Sequence, residues 1–178
     1  MYKDNKLIEY NVKDIFEKVA SQKYDLMNDI MSFGVHRLWK KYYVKLLEEL
    51  HKPNGKILDI ASGTGDIFHL LNRSKNLYAI DPISEMHSVS RKKNSKKIID
   101  YEAGIVEKMP YRKSYFQTIS CTYGVRNFED KKKAFSEIGR CLKKNGYFLF
   151  MEFGTPKREL LLKPYRLYLN DWLPFIGS

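Results

Sequence analysis

The sequence predicts an α/β fold in which parallel strands form a doubly wound, Rossmann-like sheet with helices on both faces. Two observations lead to this prediction. Apolar, strand-like runs alternate with amphipathic helical segments between residues 56 and 153, and the series opens with a strand, a glycine turn and a helix at residues 56–66. The chain has 178 residues, 43% of them hydrophobic, which suits one domain with a sizeable core.

We divide this single domain, residues 1–178, into three parts. Residues 11–50 carry apolar side chains at helical spacing, with a predicted break at residues 32–34. These N-terminal helices either cap the sheet or roof a ligand pocket, and the pattern fits both. Residues 56–153 form the predicted cofactor-binding core, and residues 157–178 form a predicted C-terminal helical segment.

The core is predicted to contain five strands, each leading into a helix or a loop. The strands are predicted at residues 57–60, 76–80, 97–101, 117–123 and 147–153. The helices are predicted at residues 67–71, 82–94 and 130–144, the last of them ended by Asn145 and Gly146. Ligands of such sheets bind beyond the carboxyl ends of the strands, where the strand order reverses.

The glycine turn after the first strand carries the first sign of a ligand. Gly63 and Gly65 supply two glycines of the dinucleotide fingerprint, but Phe68 stands where the third would be. Asp59 and Asp66 place negative charge beside the turn, which disfavours a pyrophosphate and suits a cationic nucleoside such as S-adenosylmethionine. The alternative is that the turn is only a tight corner between a strand and a helix.

Asp81 is predicted to end the second strand, 16 residues after Gly65. An acidic residue at that position can accept hydrogen bonds from the hydroxyl groups of a ribose. It can also cap the helix that begins near Pro82, and the two roles are compatible. The glycine turn and this acid together favour a nucleoside ligand.

The loop after the fourth strand, residues 122–127, discriminates among methyl acceptors. It lacks the Pro-Pro turn common in enzymes that methylate the amines of bases, and the Pro-Cys nucleophile used on cytosine. It offers the cation of Arg126 and the amide of Asn127, which we take as candidate catalytic residues. Methylation of a phenol or hydroquinone ring carbon requires loss of the hydroxyl proton, and Arg126 could stabilise the phenolate. The alternative is a surface arginine.

The composition limits the classes of binding partner that the chain could have. The net charge is +11, which permits an anionic membrane surface or a nucleic acid as partner. The lysines occur in small groups, as on a solvated surface, so we do not expect nucleic-acid binding. Four scattered histidines and two cysteines give no metal-ligand spacing, so we expect no metal. The cysteines are expected to be buried thiols in a reducing cytoplasm.

Three stretches resemble the ubiquinone/menaquinone biosynthesis C-methyltransferases. They are residues 23–40, residues 58–66 and the Tyr-Gly-Val-Arg-Asn-Phe run at 123–128. The first is the most specific, and the resemblance extends over about residues 12–178. It implies the class I methyltransferase fold, with S-adenosylmethionine donating a methyl group to a ring carbon of a polyprenyl hydroquinone of the demethylmenaquinol or demethoxybenzoquinol type.

The resemblance also implies cofactor contacts. The family's contacting residues match Thr64, Asp81 and Thr122, the last replacing a serine. With Asp59, Gly63 and Gly65 they make up the predicted cofactor-binding set. Two departures concern the adenine site: Ile105 and Val106 stand where the family usually has Asn-Ala, and Ser62 replaces a glycine. The residue matching Arg126 is thought to help activate the substrate.

Members of that family continue for about 50 residues past the position of Ser178 and complete a seven-stranded sheet, and an exposed edge strand favours aggregation. We therefore expect this sequence to be a fragment, or its edge to be supplied by another subunit; a homodimer is compatible with it. The resemblance places the protein in the cytoplasm, in peripheral contact with the inner membrane. Alternatives are a non-catalytic S-adenosylmethionine-binding or assembly subunit of a quinone-synthesis complex, and a methyltransferase acting on small molecules or RNA.

Overall fold

The structure is a computed structural model that describes residues 35–152. The helices predicted over residues 11–34 and 157–178 lie outside the described residues. The described helices are α1 (Val35–Leu50), α2 (Asp66–Leu70), α3 (Ser84–Lys93) and α4 (Lys131–Cys141). The strands are β1 (Ile57–Ile60), β2 (Leu77–Asp81), β3 (Ile99–Ala103), β4 (Phe116–Thr122) and β5 (Leu142–Met151). Two 3-10 helices, Val106–Lys108 and Val125–Asn127, complete the set.

The described strands form one sheet in the order β3-β2-β1-β4-β5, and all neighbouring pairs are parallel. The chain first adds strands on one side of β1 and then crosses to the other side with β4. The predicted doubly wound sheet is therefore confirmed. Its switch point lies between β1 and β4, which is where such sheets bind ligands.

The core lies on both faces of the sheet. On one face, α1 and α2 bury Leu47, Ile67 and Phe68 against the sheet. On the other face, α4 buries Ala134 and Ile138. All four residues of β1 are buried, as expected for the central strand of a sheet covered on both sides. A central, buried β1 fixes the position of the turn that follows it.

Helix α1 is tied to the sheet by a buried tyrosine. The Tyr43 hydroxyl donates to the carbonyl oxygen of Leu149 at 2.6 Å and accepts from the N–H of Cys121 at 3.3 Å. The helix is thus held over the ends of β4 and β5, close to the switch point. None of the helices within residues 35–152 has the length and apolarity needed to cross a membrane.

The predicted boundary between the last helix and the last strand is wrong. The pattern predicted a helix to residue 144, but α4 ends at Cys141 and β5 begins at Leu142. The N–H groups of Ser114 and Tyr115 donate to the carbonyl oxygens of Arg140 and Cys141, at 2.9 and 2.8 Å. These tertiary hydrogen bonds draw the chain into the sheet before the helical pattern is exhausted.

The third strand is also displaced from its prediction. It runs over Ile99–Ala103 and not over residues 97–101. Lys97 belongs to the preceding loop, because its ammonium group donates to the carbonyl oxygens of Leu71 and Arg73 at 2.6 and 2.9 Å. The ends of the first, second and fourth strands agree with the prediction to within one residue, whereas the fifth strand ends at Met151 and not at residue 153.

Candidate functional site

A pocket lies at the switch point, between the turn after β1 and the end of β4. The glycine turn contributes residues 61–64, α2 contributes Asp66 and Ile67, and the β4 end contributes Thr122 and Tyr123. Helix α1 adds Lys40. Of the predicted cofactor-binding residues, the structure thus brings Gly63, Thr64 and Thr122 together in one pocket.

The glycine turn exposes backbone on one side only. Gly63 and Gly65 have positive φ angles of 50° and 74°, which favour glycine. A Cβ atom on Gly63 would meet no atom within 4 Å, so this glycine faces open space. A Cβ atom on Gly65 would lie 2.0 Å from the hydroxyl oxygen of Ser90, so Gly65 is packed against α3 and does not face the pocket.

Asp81, at the end of β2, connects the turn to the start of α3. Its carboxylate accepts from the N–H of Gly63 at 2.9 Å and from the N–H of Ile83 at 3.0 Å. Asp81 thus braces the turn and the segment that leads into α3, but it does not cap that helix, which begins at Ser84 with Ile83 as N-cap and without a side-chain cap. The predicted capping role is therefore wrong. Burial raises the pKa of Asp81, although the two N–H donors act in the opposite direction. The carboxylate adjoins the pocket through Gly63.

Asp59 lies beneath the pocket and does not line it. Its side chain is fully buried and accepts a hydrogen bond from the Ser120 hydroxyl. Burial raises the pKa of Asp59 to about 7, and the Asp81 and Asp66 charges act in the same direction. Asp59 therefore braces β1 against β4, and its predicted direct contact with a cofactor has no support in this geometry.

Asp66 has two cationic partners. The ammonium groups of Lys40 and Lys93 both pair with its carboxylate. Burial alone would raise the pKa of Asp66, but the two lysines lower it to about 2. The negative charge expected beside the turn is therefore largely offset, because two lysines pair with Asp66 and burial raises the pKa of Asp59 to about 7.

The end of β4 touches the glycine turn. A Cβ atom on Gly124 would lie 2.6 Å from the Cβ of Ala61, so only a glycine allows the two turns to approach so closely. Tyr123 has a positive φ of 57°, and its hydroxyl donates to the sulfur of Met151 at 3.7 Å. Burial raises the pKa of Tyr123 to about 12, so its phenol stays protonated at neutral pH.

The predicted catalytic residues lie outside the pocket lining. Arg126 is on the 3-10 helix Val125–Asn127, with a half-exposed side chain whose Nη1 lies 3.6 Å from Oε1 of Glu152. Asn127 is exposed, and its N–H donates to the carbonyl oxygen of Gly124 at 3.0 Å. Neither residue lines the pocket, although both follow closely in sequence on Tyr123, which does.

Six pocket residues lie outside the predicted cofactor-binding set, namely Lys40, Ala61, Ser62, Asp66, Ile67 and Tyr123. Lys40 was visible only as part of a specific stretch, and nothing in helical spacing showed that it would be 7% exposed. Ser62 was noted only as a departure from a glycine. Its buried hydroxyl has no hydrogen-bond partner among the described residues, which indicates that a polar group of a ligand belongs there.

The two positions matching the family's adenine site lie outside the pocket lining. Ile105 is exposed and Val106 is buried, and neither lines the pocket. Within the described part of the chain, no group of three or more His, Cys, Asp or Glu side chains could hold a metal ion. Cys121 and Cys141 are buried free thiols.

Comparisons with known proteins identify the family of this chain. The family model described as the ubiE/COQ5 methyltransferase family matches residues 3–178. A ubiquinone/menaquinone biosynthesis C-methyltransferase UbiE of Wigglesworthia glossinidia brevipalpis is 42% identical over 99% of this chain and 71% of its own length. The resemblance inferred from the sequence is therefore confirmed.

Solved structures show the fold. A SAM-dependent methyltransferase of Thermotoga maritima matches with a TM-score of 0.63 at 23% identity, covering 86% of this chain and 66% of that one. The YcgJ protein of Bacillus matches with a TM-score of 0.58 at 24% identity, covering 72% of this chain and 57% of that one. The chain thus spans about three fifths of these structures, and the predicted class I methyltransferase fold is confirmed.

Proposed function

The chain belongs to the ubiE/COQ5 methyltransferase family, and we propose that it transfers a methyl group from S-adenosylmethionine to a ring carbon of a polyprenyl hydroquinone. The acceptor would be of the demethylmenaquinol or demethoxybenzoquinol type, in menaquinone or ubiquinone biosynthesis. The main support for this proposal is the pocket at the switch point, because residues that match the family's cofactor contacts, Thr64 and Thr122, line it.

The residues present fit S-adenosylmethionine. Gly63 offers a side of the turn that a Cβ atom would otherwise fill, and Asp81 adjoins it with a carboxylate suited to ribose hydroxyls. Thr64 and Thr122 line the same pocket, and so does Ser62, whose buried hydroxyl has no hydrogen-bond partner among the described residues. We assign these residues to cofactor binding, with Gly65 and Asp59 shaping the turn from behind.

The chemistry needs little from the protein beyond alignment and charge. The sulfonium of the bound cofactor supplies an electrophilic methyl group. The acceptor hydroxyl must lose its proton so that electron density reaches the neighbouring ring carbon, and the ring later loses the proton from the methylated carbon. Arg126 would stabilise the phenolate at the mouth of the pocket, and the Asn127 amide would orient the ring.

We further propose where the protein works. A polyprenylated acceptor resides in a membrane, so the protein would act from the cytoplasm in peripheral contact with the inner membrane surface. The net charge of +11 supports contact with an anionic surface. We also propose a homodimer, in which a second copy of the chain would cover the exposed edge of the sheet.

The test is methyl transfer by the purified chain. Labelled S-adenosylmethionine is incubated with a short-tailed demethylmenaquinol in detergent, and the product is analysed by mass spectrometry for a label on a ring carbon. We expect ring-labelled product and none when the oxidised quinone replaces the quinol. Binding of the cofactor without any transfer would favour the non-catalytic subunit, and transfer to RNA in place of the quinol would contradict the acceptor.

A further inference from the structure

The pocket contains a buried cation whose role the proposed reaction does not use. Lys40 lines the pocket from α1, and the residue is only 7% exposed. A lysine ammonium group has three donors. Among the described residues, the acceptor of its hydrogen bond is Asp66, and the same side chain borders the pocket. A buried ammonium group with unused donors is costly, which indicates that a further acceptor completes its site.

The partner of Lys40 does not depend on Lys40 alone. Asp66 also pairs with Lys93, which comes from α3 and does not line the pocket. If Lys40 turned to another anion, Asp66 would keep a cationic partner. The paired arrangement therefore allows Lys40 to serve a ligand without leaving a buried carboxylate unpaired.

The position of Lys40 indicates which part of a ligand it meets. Asp81 and Gly63 mark the nucleoside end of the site, because the carboxylate suited to a ribose is bonded to the Gly63 N–H. The pocket extends from Gly63 to Thr122 and to Lys40. Ile105 and Val106, at the positions matching the adenine site, do not line this pocket, so a ligand with its ribose at Asp81 would direct its amino-acid end into it.

Lys40 is the one cationic side chain among the described residues that line this pocket. The amino-acid end of S-adenosylmethionine carries one anionic group, its α-carboxylate. We propose that Lys40 binds this carboxylate and so makes the site select cofactors that retain it. This inference rests on the proposed function and names the residue that recognises the far end of the cofactor.

The test compares two ligands that differ in that group. Isothermal titration measures binding of S-adenosylmethionine and of decarboxylated S-adenosylmethionine to the wild-type chain and to Lys40→Met. We expect the wild type to prefer S-adenosylmethionine by about 10- to 100-fold, as for loss of a charge-assisted hydrogen bond. Lys40→Met should weaken S-adenosylmethionine binding by a similar factor, change binding of the decarboxylated analogue less than about 3-fold, and so abolish the preference.

Two further variants separate ligand recognition from structure. Lys93→Met removes the other partner of Asp66 but no pocket-lining group, so it should leave the preference between the two ligands unchanged. Lys40→Arg keeps the charge and should retain most of the preference. A merely structural Lys40 would instead lower the affinity for both ligands by the same factor, and that result would overturn the inference.

If Lys40→Met fails to fold, the affinities of the wild-type chain for the two ligands still test the inference. Equal wild-type affinity for the two ligands overturns the role of Lys40 while leaving the proposed function intact. Binding of neither ligand contradicts the proposed function itself, and this inference with it. If the wild type prefers the carboxylated ligand and Lys40→Arg retains that preference, the result supports both the proposed function and the role of Lys40.

Discussion

Asp59 and Asp66 flank the same turn, yet their surroundings move their pKa values in opposite directions. Asp59 is buried without a cationic partner in contact, and burial raises its pKa to about 7. Asp66 is buried too, but Lys40 and Lys93 lower its pKa to about 2. The difference is one of neighbours, since a paired carboxylate stays ionised where an unpaired one does not.

Asp59 should make the stability of the protein depend on pH. Because its pKa is raised in the folded state, the folded chain binds the proton more tightly between about pH 4 and pH 7, so the free energy of unfolding falls as the pH rises through that range. Replacing it by Asn removes this dependence. The stability of Asp59→Asn relative to wild type should therefore rise by about 2 kcal/mol between about pH 5 and pH 8.

Urea unfolding at the two pH values measures that difference. Comparing variant with wild type is necessary because burial lowers the pKa of His51 to about 4, and this histidine makes stability rise with pH below about 6.5. Its effect is present in both proteins and cancels. Asp100→Asn, at an exposed strand position, is the control. A stability difference independent of pH would show that Asp59 does not titrate as described.

Asp81→Ala should weaken S-adenosylmethionine binding. The change removes the carboxylate proposed to bind the ribose and the acceptor that holds the Gly63 N–H at 2.9 Å. Loss of charge-assisted hydrogen bonds of this kind lowers affinity by about 10- to 100-fold. Isothermal titration checks it, with the exposed Asp100→Ala as the matched control. Unchanged affinity in Asp81→Ala would refute the ribose assignment.

Arg126→Gln should lower the turnover number without weakening the binding of the cofactor. The side chain lies outside the pocket lining, so we expect cofactor affinity within about 3-fold of wild type and kcat reduced by about 10- to 100-fold, from loss of charge stabilisation of the phenolate. Single-turnover methyl transfer and isothermal titration give the two values. Lys131→Gln, at an exposed position on α4, is the control for loss of one positive charge. Full activity in Arg126→Gln would show that Arg126 is a surface residue without a catalytic role.

At the scale of elements, the two glycines of the turn serve different purposes. Gly63→Ala adds a methyl group where no atom lies within 4 Å, so its cost in stability is the backbone strain of a φ of 50°, about 1 kcal/mol. Gly65→Ala forces a Cβ atom against Ser90 at a φ of 74°, and should cost at least about 2 kcal/mol.

The two variants should therefore differ in which property they change, the affinity for S-adenosylmethionine or the free energy of unfolding. Gly63→Ala should weaken S-adenosylmethionine binding by about 10-fold or more with modest destabilisation, since the methyl group occupies space proposed for the cofactor. Gly65→Ala should mainly destabilise. The prediction is checked by urea unfolding and isothermal titration of both. Wild-type affinity in a folded Gly63→Ala would mean that the cofactor does not approach that side of the turn.

The sequence was most informative where a local pattern determines local geometry. Strand, turn and helix around Gly63 were predictable because small residues, apolar runs and glycine φ angles act within a few residues of one another. The end of α4 at Cys141 was not, because hydrogen bonds from Ser114 and Tyr115 decide it. The same limit applies to Lys40, since helical spacing cannot show that its charge would be directed at a turn 26 residues away.

At the scale of the whole molecule, the fold follows from the alternation of strand-like and helical segments, and the net charge follows from the composition. Because all neighbouring strands are parallel, their carboxyl ends lie at one edge of the sheet, and the order β3-β2-β1-β4-β5 brings the ends of β1 and β4 together, so residues far apart in sequence share one pocket. The ionisation of Asp59 and Asp66 could not be predicted in the same way, because it depends on which residues the fold brings beside them. Patterning thus locates the site, and packing determines its chemistry.

The net charge of +11 should give the chain affinity for anionic membranes. In sedimentation with vesicles, we expect binding to phosphatidylglycerol vesicles and little to phosphatidylcholine vesicles. Salt at about 0.5 M should release the protein, because screening at that ionic strength shortens the range of surface electrostatics to a few ångströms. Equal binding to both kinds of vesicle would remove charge as the basis of membrane contact.

The central claim is that S-adenosylmethionine binds between the β1 turn and the end of β4. Backbone amide chemical shifts of the ¹⁵N-labelled chain, recorded during titration with S-adenosylmethionine, test it most directly. The account predicts saturable shifts at Gly63, Thr64, Asp81 and Thr122, and little change at residues of the opposite sheet edge such as Lys56 and Tyr115. Shifts confined to that opposite edge, or none at all, would contradict it.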